Sequence, residues 1–407
     1  MKADMPSTYA ILMTVLFCVL ASGYAVPCRA DDLMDAGRAE TMGLLLDNAI
    51  RRGLIDGGVV VVGDKSGPLY TAARGRTRPA PDGTALDERT IFDVASLTKV
   101  IATAPAIMKL LEEGQLSLVD PITRWFPEFE GTGREEVTIL NLLTHTSGFD
   151  DVQLPADTPL LTAIRKASSQ ISWKQPGSRF RYADINFILL GELIQRVSGM
   201  TLDRFCRERL YAPAGMGETT FLPPVDGMTA VAPTFGSAGE RLIGIVQDEN
   251  ARRIGGVAGH AGLFTSASDL TRFAGMILGR GMTKGGRIFD ERTVIQMTAP
   301  YYSASGSIVR GLGWDISSPF SSPRGSSFSD ASFGHTGYSG SSIWIDPDRN
   351  LFVILLTIRK DYRDTRLFNR LRSGISTIAA SVFSAPRDID LLADIRLLYE
   401  PAYGLTR

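Results

Sequence analysis

Cysteine is nearly absent from this chain of 407 residues, with three in all: Cys18, Cys28 and Cys206. Cleavage after Ala30 would leave Cys206 alone, so no internal disulfide is expected. A chain of this length has core enough to do without one, and Cys206 reads as a small buried apolar side chain. Histidine is equally scarce: His145, His260 and His335 lie in separate segments. No H-E-x-x-H helix and no paired-cysteine motif occurs, so no metal centre is expected. No G-x-S-x-G elbow or Walker loop is present, which argues against an α/β-hydrolase or a P-loop NTPase. Charge of either sign is also lacking in excess. Forty-three basic residues face 44 acidic ones, the net charge is −1, and no run of five basic residues appears. A nucleic-acid partner, which needs a clustered basic surface, is therefore not expected.

What is present begins with an apolar stretch, Tyr9 to Ala21, after a short polar lead at Lys2. It is short for a membrane span, and small residues follow, with Gly23-Tyr24-Ala25 and Cys28-Arg29-Ala30 as cleavage sites. This reads as a secretory signal peptide over 1–30, with an uncleaved membrane anchor as the alternative. Pro27 just before Cys28 argues against a lipoprotein signal. The expected location is periplasmic or secreted.

Apolar residues make up 44% of the chain and charged ones 21%, an ordinary globular balance at a length that favours two lobes. Asp35 to Arg52 has the pattern of an amphipathic helix. The run VVVVGD is a buried strand, with Leu69 to Ala73 as its hairpin partner and Thr77 to Gly83 as a loop. A helix opening at Ser96 should run toward Glu113 and stop at Gly114, with Pro105 kinking it. The stretch from about 115 to 290 is mostly helical by pattern. One helix there starts at Ser266, has capping-box spacing to Asp269, and aligns Leu270, Phe273, Ala274, Ile277 and Leu278. SSIWID and LFVILLTI flank the turn PDRN as a late hairpin, and Asp388 to Tyr399 reads as a last helix. Strands at both ends with helices between them predict an α+β fold. One antiparallel sheet is built from both chain ends and flanked by helices, and a mostly helical lobe is inserted. The expected boundaries are a domain over 31–385, with an α/β lobe at about 35–100 and 305–385 and a helical lobe at about 101–304. A helical tail follows over 386–407.

Three short motifs carry chemistry. In IFDVASLTKV, Ser96 and Lys99 are three apart, so on a helix they share a face and their side chains can meet. At a helix start the serine would also sit beside unpaired backbone N–H groups. Tyr182-Ala183-Asp184 precedes the apolar face Phe187, Leu190, Ile194 and Val197, and His335-Thr336-Gly337 precedes the late hairpin. A serine hydroxyl is a poor nucleophile until a base takes its proton. Lys99 qualifies if burial lowers its pKa, and Tyr182 is the other candidate.

In this order, and with these spacings and flanks, Ser-x-x-Lys, Tyr-x-Asp and His-Thr-Gly resemble the serine β-lactamase and penicillin-binding protein superfamily. They look most like the class C β-lactamase branch with its esterases and D-Ala-D-Ala peptidases. VTILNLLTHTSGF and QDENARRIGGVAGHAGLFTSASDL add to the likeness, which covers roughly 40–380. The resemblance implies the β-lactamase/transpeptidase-like fold and an acyl-enzyme on Ser96. It implies catalytic roles for Ser96, Lys99 and Tyr182, with Tyr182 opposite the nucleophile. It puts Asp184, His335, Thr336, Gly337 and Tyr338 at the substrate, with the N–H groups of Ser96 and Tyr338 as the oxyanion hole. It also implies that GGVAGHAG lines the site wall.

Asp184 departs from the asparagine common in that element. An ionised aspartate only accepts hydrogen bonds, so it would hold Lys99 and bind a substrate carbonyl less well. His335 replaces the lysine of many members. It is expected to gain charge between about pH 5.5 and 8 and to read a substrate carboxylate more strongly at the lower end. His145 is expected to be structural. The resulting expectation is a serine hydrolase without cofactor or metal, acting on a small molecule or peptide such as a peptidoglycan stem peptide or an ester. D-Ala-D-Ala carboxypeptidase-like and carboxylesterase activity lead, and β-lactam hydrolysis ranks third. The rival is a non-catalytic cell-wall-binding protein that keeps the fold. Membrane attachment enters only if the signal is uncleaved.

The leader yields a first prediction. In a secreting host the mature chain should start near Asp31 and lie outside the cytoplasm. N-terminal sequencing checks this, and a cytosolic chain still starting at Met1 contradicts it.

Overall fold

The computed structural model describes residues 30–78, 81–171, 173–225, 230–304 and 308–384. The leader expected before Ala30, and the tail and helix expected beyond residue 385, lie outside the described residues. The chain divides into two units, 1–38 and 39–407. Of the first, the described part is the opening of helix α1 (Ala30–Arg51). The sheet, the helical lobe and the site belong to the second.

Strands β1 (Ile55–Asp64) and β2 (Gly67–Gly75) form the expected hairpin. The valines of β1 alternate between two cores: Val59 and Val61 join one cluster, Val60 and Val62 the other. Both faces of the strand are covered, which explains why the run Val59 to Val62 is apolar at every position. The sheet resumes after residue 300 with β3 (Tyr302–Ala304), β4 (Ile308–Arg310) and β5 (Asp315–Ser317). It finishes with β6 (Phe333–Thr336), β7 (Ser342–Asp346) and β8 (Leu351–Arg359). The eight strands are antiparallel in the order β3-β4-β5-β6-β7-β8-β1-β2. Strand β8 closes the sheet onto β1, with Leu355 opposite Val60. Segments from both parts of the chain thus make one sheet, as expected.

On one face, Ile354, Leu356 and Ile358 pack with the helical lobe. On the other, Trp344, Val353 and Leu355 pack with Met42 and Leu46 of α1 and with Phe368, Leu371 and Ile375 of a late helix, Thr365–Phe383. Full burial of each such side chain contributes roughly 1.5–3 kcal/mol.

The helix expected from Ser96 to Glu113 is broken into three pieces: a 3-10 turn Ala95–Leu97, a π-helical turn Lys99–Thr103, and helix α2 (Ala104–Glu112). Pro105 therefore falls in the first turn of α2, where its missing N–H would have had no helical partner. Gly114 follows the end with φ +68, the left-handed conformation that glycine adopts without strain. Helix α3 (Asp184–Ser198) buries Phe187, Leu190 and Ile194 and half-buries Val197. A second, three-stranded sheet joins Phe92–Asp93, Leu263–Thr265 and Thr220–Phe221. Its strands are too short to show periodicity, yet it fixes the turn that carries Ser96. Cys206 is buried and free of disulfide, and burial pushes its thiol pKa up. Among the described residues no helix is long and apolar enough to cross a membrane.

Helix α4 (Ala267–Leu278) begins where its capping signal predicted. The Ser266 hydroxyl accepts the Asp269 N–H at 3.1 Å and donates to Glu218 at 2.6 Å. Ser266→Ala should therefore cost about 1–2 kcal/mol. Equilibrium urea unfolding of the two proteins measures it, and an unchanged midpoint would show that the cap contributes nothing.

Candidate active site

The site is assembled around a strained turn. Ala95, just before Ser96, takes φ +46, a conformation costly for a residue with a Cβ. The turn is held from three sides. Asp93 accepts the Ala95 N–H at 2.8 Å through Oδ1. Ser339 Oγ donates to the Asp93 carbonyl at 2.7 Å, and Ser341 Oγ to the Val94 carbonyl at 2.9 Å. Gly337 packs so close that a Cβ there would lie 2.3 Å from the Val94 carbonyl oxygen, so a side chain would push the end of β6 away from the turn that carries Ser96.

Lys99 is wholly buried. Its Nζ lies 2.7 Å from Asp184 Oδ1, donates to the His260 carbonyl at 2.9 Å and to Ser96 Oγ at 3.2 Å. Burial works against the ammonium, but the charge of Asp184 and the hydroxyl of Tyr182 prevail, and the pKa rises above the usual lysine value. The expected acceptor role of Asp184 is thus realised in the fold. The sequence left the base role open between Lys99, on condition that burial lowered its pKa, and Tyr182; here burial brings an anion with it and the pKa of Lys99 is raised instead.

Tyr182 hydrogen-bonds to Lys99 and Ser96. Burial raises its pKa, and the Lys99 charge offsets that only in part. Its ring stacks on His145 at 4.5 Å between centroids and meets Phe320 at 5.5 Å and His335 at 6.0 Å. Phe320 is half-exposed at 48% and also meets Phe180, so the site is flanked on one side by aromatic rings. His145 has a structural place, accepting the Ala183 N–H at 3.2 Å through Nδ1 and so fixing the residue after Tyr182.

His335 is 5% exposed, and its Nδ1–H donates to the Thr336 carbonyl at 2.9 Å. Burial first, then the charges of Arg310 and Lys99, hold its pKa well below the usual histidine value. The expectation that His335 takes up charge between about pH 5.5 and 8 is corrected here: a buried imidazole beside two cations stays neutral. Gly337 lies against Val94, as described. The Tyr338 side chain is exposed and stacks on Tyr362 at 4.9 Å, so its backbone, not its ring, is the part that continues from Gly337. Arg310 is paired with Asp315 at 2.8 Å, and Arg372 donates to the carbonyls of Gly337 and Ser341 at 2.6 and 2.8 Å.

The segment GGVAGHAG does reach the site. Gly259 O accepts Thr103 Oγ1 at 2.6 Å and His260 O accepts Lys99. These contacts use backbone carbonyls, which leave no residue-type signal. Asp93 and Asp248 also escaped the sequence reading. Of the two N–H groups that Asp93 accepts, one is local, Ala95, and the other lies far along the chain, Gln247 N at 2.7 Å. Asp184, Asp248 and His260 bring possible metal-ligating atoms within 4.8 Å of one another. Lys99 already occupies Asp184 and His260 occupies Asp248, so a metal ion would have to compete with a buried ammonium.

A serine and a tyrosine gathered on a buried lysine, between an antiparallel sheet and a helical lobe, define the class: a serine hydrolase with the β-lactamase/transpeptidase-like fold. Comparison with known proteins agrees. The Beta-lactamase family profile matches residues 33–372, and the chain belongs to that family. A protein of Salmonella agona (strain SL483), provisionally named a D-alanyl-D-alanine carboxypeptidase, is 30% identical over 303 residues, 66% of this chain and 69% of its own. A class C β-lactamase structure superposes with a TM-score of 0.70 at 19% identity, covering 89% of this chain and all of that one. EstCE1, a hydrolase with promiscuous acyltransferase activity, gives 0.69 at 20% identity, covering 84% and 99%. At these identities the two structures speak for the fold alone.

The chain's three histidines make the electrostatics testable. His145 is held low by burial and by Arg310 and Lys99, like His335. Imidazole 15N shifts of both should stay at neutral-form values from about pH 8 to about pH 5.5, with assignment by His145→Gln and His335→Gln. A His335 midpoint near the ordinary histidine value would overturn the neutral assignment.

Proposed function

We propose that Ser96 is the nucleophile of an acyl-transfer hydrolase and that Tyr182 is its base. The observation that carries this is the placement of one ammonium, Lys99, against both the Ser96 and Tyr182 hydroxyls. Because Asp184 keeps Lys99 protonated, the lysine acts as a fixed positive charge. Tyr182 rests as a phenol and works when deprotonated. Its phenolate, stabilised by Lys99, takes the Ser96 proton while Oγ attacks the acyl carbon. The N–H groups of Ser96 and Tyr338 receive the developing oxyanion. Collapse expels the alcohol or amine, which takes the proton back from Tyr182. Water then repeats the sequence on the acyl-serine, giving the acid and free Ser96.

The leading substrate is a carboxylic ester without a recognition carboxylate. Support comes from His335: a neutral imidazole stands where many relatives carry a lysine. The D-Ala-D-Ala carboxypeptidase reading is second, favoured by the name of the 30% identical relative. β-Lactam hydrolysis ranks below both. Retention of Ser96, Lys99 and Tyr182 in contact counts against a non-catalytic wall-binding role. The apolar stretch Tyr9 to Ala21 supports a place in the periplasm or outside the cell.

Ser96→Ala should give no acyl adduct by intact mass after p-nitrophenyl acetate or a fluorophosphonate, whereas wild type gains one. Tyr182→Phe should lower kcat by roughly 100- to 10,000-fold. For wild type, kcat/KM should climb with pH above neutrality, because the base must first lose a proton from a pKa above the tyrosine norm. Higher kcat/KM for a neutral ester than for a peptide ending in D-Ala-D-Ala selects the first substrate reading; the reverse order selects the second. An adduct of equal yield on Ser96→Ala would remove the nucleophile assignment.

A further inference from the structure

The acyl-transfer steps leave one hydrogen-bonded pair, the buried His260 and the half-buried Asp248, without a role. His260 is 1% exposed, and its Nε2 lies 2.9 Å from Asp248 Oδ1. With the ring proton on Nε2, His260 donates to that carboxylate, and Nδ1 is left buried without a hydrogen-bond partner. Burial works against the Asp248 charge, but the His260 contact and the Ala251 N–H bring its pKa down to about 2. Asp248 is fixed in turn. It caps the short helix Glu249–Arg253 by accepting the Ala251 N–H at 2.7 Å. Its neighbour Gln247 is tied through its N–H to Asp93 Oδ2 at 2.7 Å.

These contacts form a closed circuit. Asp93 holds Ala95 beside the nucleophile with one oxygen and Gln247 with the other. Asp248 holds the His260 ring, and the His260 carbonyl holds Lys99, three residues after Ser96. The adjoining Gly259 is pinned as well: a Cβ there would lie 2.0 Å from the Phe187 carbonyl oxygen. The loop therefore has little freedom except through the ring of His260.

We propose that His260 and Asp248 are positioning residues that aim the His260 carbonyl at Lys99 and so set the distance of the ammonium from Ser96 and Tyr182. The proposal rests on the acyl-serine reading. An ammonium has three hydrogens, and here Asp184, the His260 carbonyl, Ser96 and Tyr182 compete for them. If the carbonyl withdraws, the strongest remaining attraction is the Asp184 carboxylate. Lys99 then moves toward α3 and away from the two hydroxyls. Tyr182 loses part of the charge that stabilises its phenolate, so its deprotonation shifts to higher pH. The groups facing Tyr182 are Lys99, Asp184, Ser96, His145 and His335, and the last two are held in the neutral form by burial. Those facing the pair are Lys99, Asp184, Asp93 and Arg252.

The test compares His260→Ala, Asp248→Ala and Asp248→Asn with wild type, using an uncharged p-nitrophenyl ester from pH 6 to 10. The two alanine variants should lose about 10- to 100-fold in kcat, the scale of a displacement near 1 Å, with KM within about twofold. The rising limb of their pH profile should move to higher pH. Asp248→Asn keeps an oxygen acceptor for Nε2–H and the cap on Ala251, so it should recover most of that loss. The double alanine variant should be no slower than the worse single, since the two act as one unit. A folded alanine variant with unchanged kcat overturns the proposal. So does a slower one whose pH limb has not moved, which would mark the pair as scaffold only. If His260→Ala does not fold, Asp248→Ala against Asp248→Asn makes the same comparison. Failure of the acyl-serine reading is distinguished by wild type itself, which would then show no fluorophosphonate adduct on Ser96.

Discussion

The Lys99 ammonium is sealed from water and bonded to Asp184 at 2.7 Å, and the rest of the site is arranged around that pair. A buried charge of this kind is costly unless paired and hydrogen-bonded. The protein meets the requirement with a carboxylate, a backbone carbonyl and two hydroxyls, drawn from three separate stretches of chain. The consequence is chemical as well as structural. With asparagine in place of Asp184, the lysine would feel no opposing charge, and burial would push its pKa down toward that of a base. With aspartate it is held as a cation, and the proposed mechanism accordingly gives proton transfer to Tyr182.

The scaffold serves this pair by holding the turn before Ser96 rigid. The strain at Ala95 persists because its neighbours over-determine it: Asp93 from within the turn, and Ser339 and Ser341 from the turn between β6 and β7. The sheet that carries that turn is buried on both faces, so its position is set by two cores. The helical lobe brings Tyr182 at the start of α3 and the carbonyls of Gly259 and His260. Ser96 and Tyr182 therefore come from different parts of the fold, each held by packed elements.

The polarity of the cleft follows from how its cations are employed. Arg310 is neutralised by Asp315, Arg372 is spent on two carbonyls, and His335 is neutral. Tyr182, Phe180 and Phe320 give one side of the site an apolar, aromatic surface. Such a surface suits an uncharged acyl compound better than a free carboxylate.

Much of this was legible along the chain. The alternating valines and the PDRN hairpin specified a sheet closed by both ends, because strand burial has a period that sequence displays. Ser266 specified a helix start through local hydrogen bonding alone. The spacing of Ser96 and Lys99 specified their meeting, since a single turn of backbone brings them together. Three things were decided only by tertiary structure. The charge states of Lys99 and His335 depend on what else is buried beside them, which sequence distance does not report. Pro105 signalled an interruption in the segment after Ser96, but its 3-10 and π turns before α2 carry no sequence signal, and they place the Thr103 hydroxyl on the Gly259 carbonyl. The link from Asp93 through Asp248 and His260 to Lys99 joins residues up to 167 positions apart, three of its bonds through backbone atoms. Backbone groups are the same at every residue, so only the fold determines which of them meet.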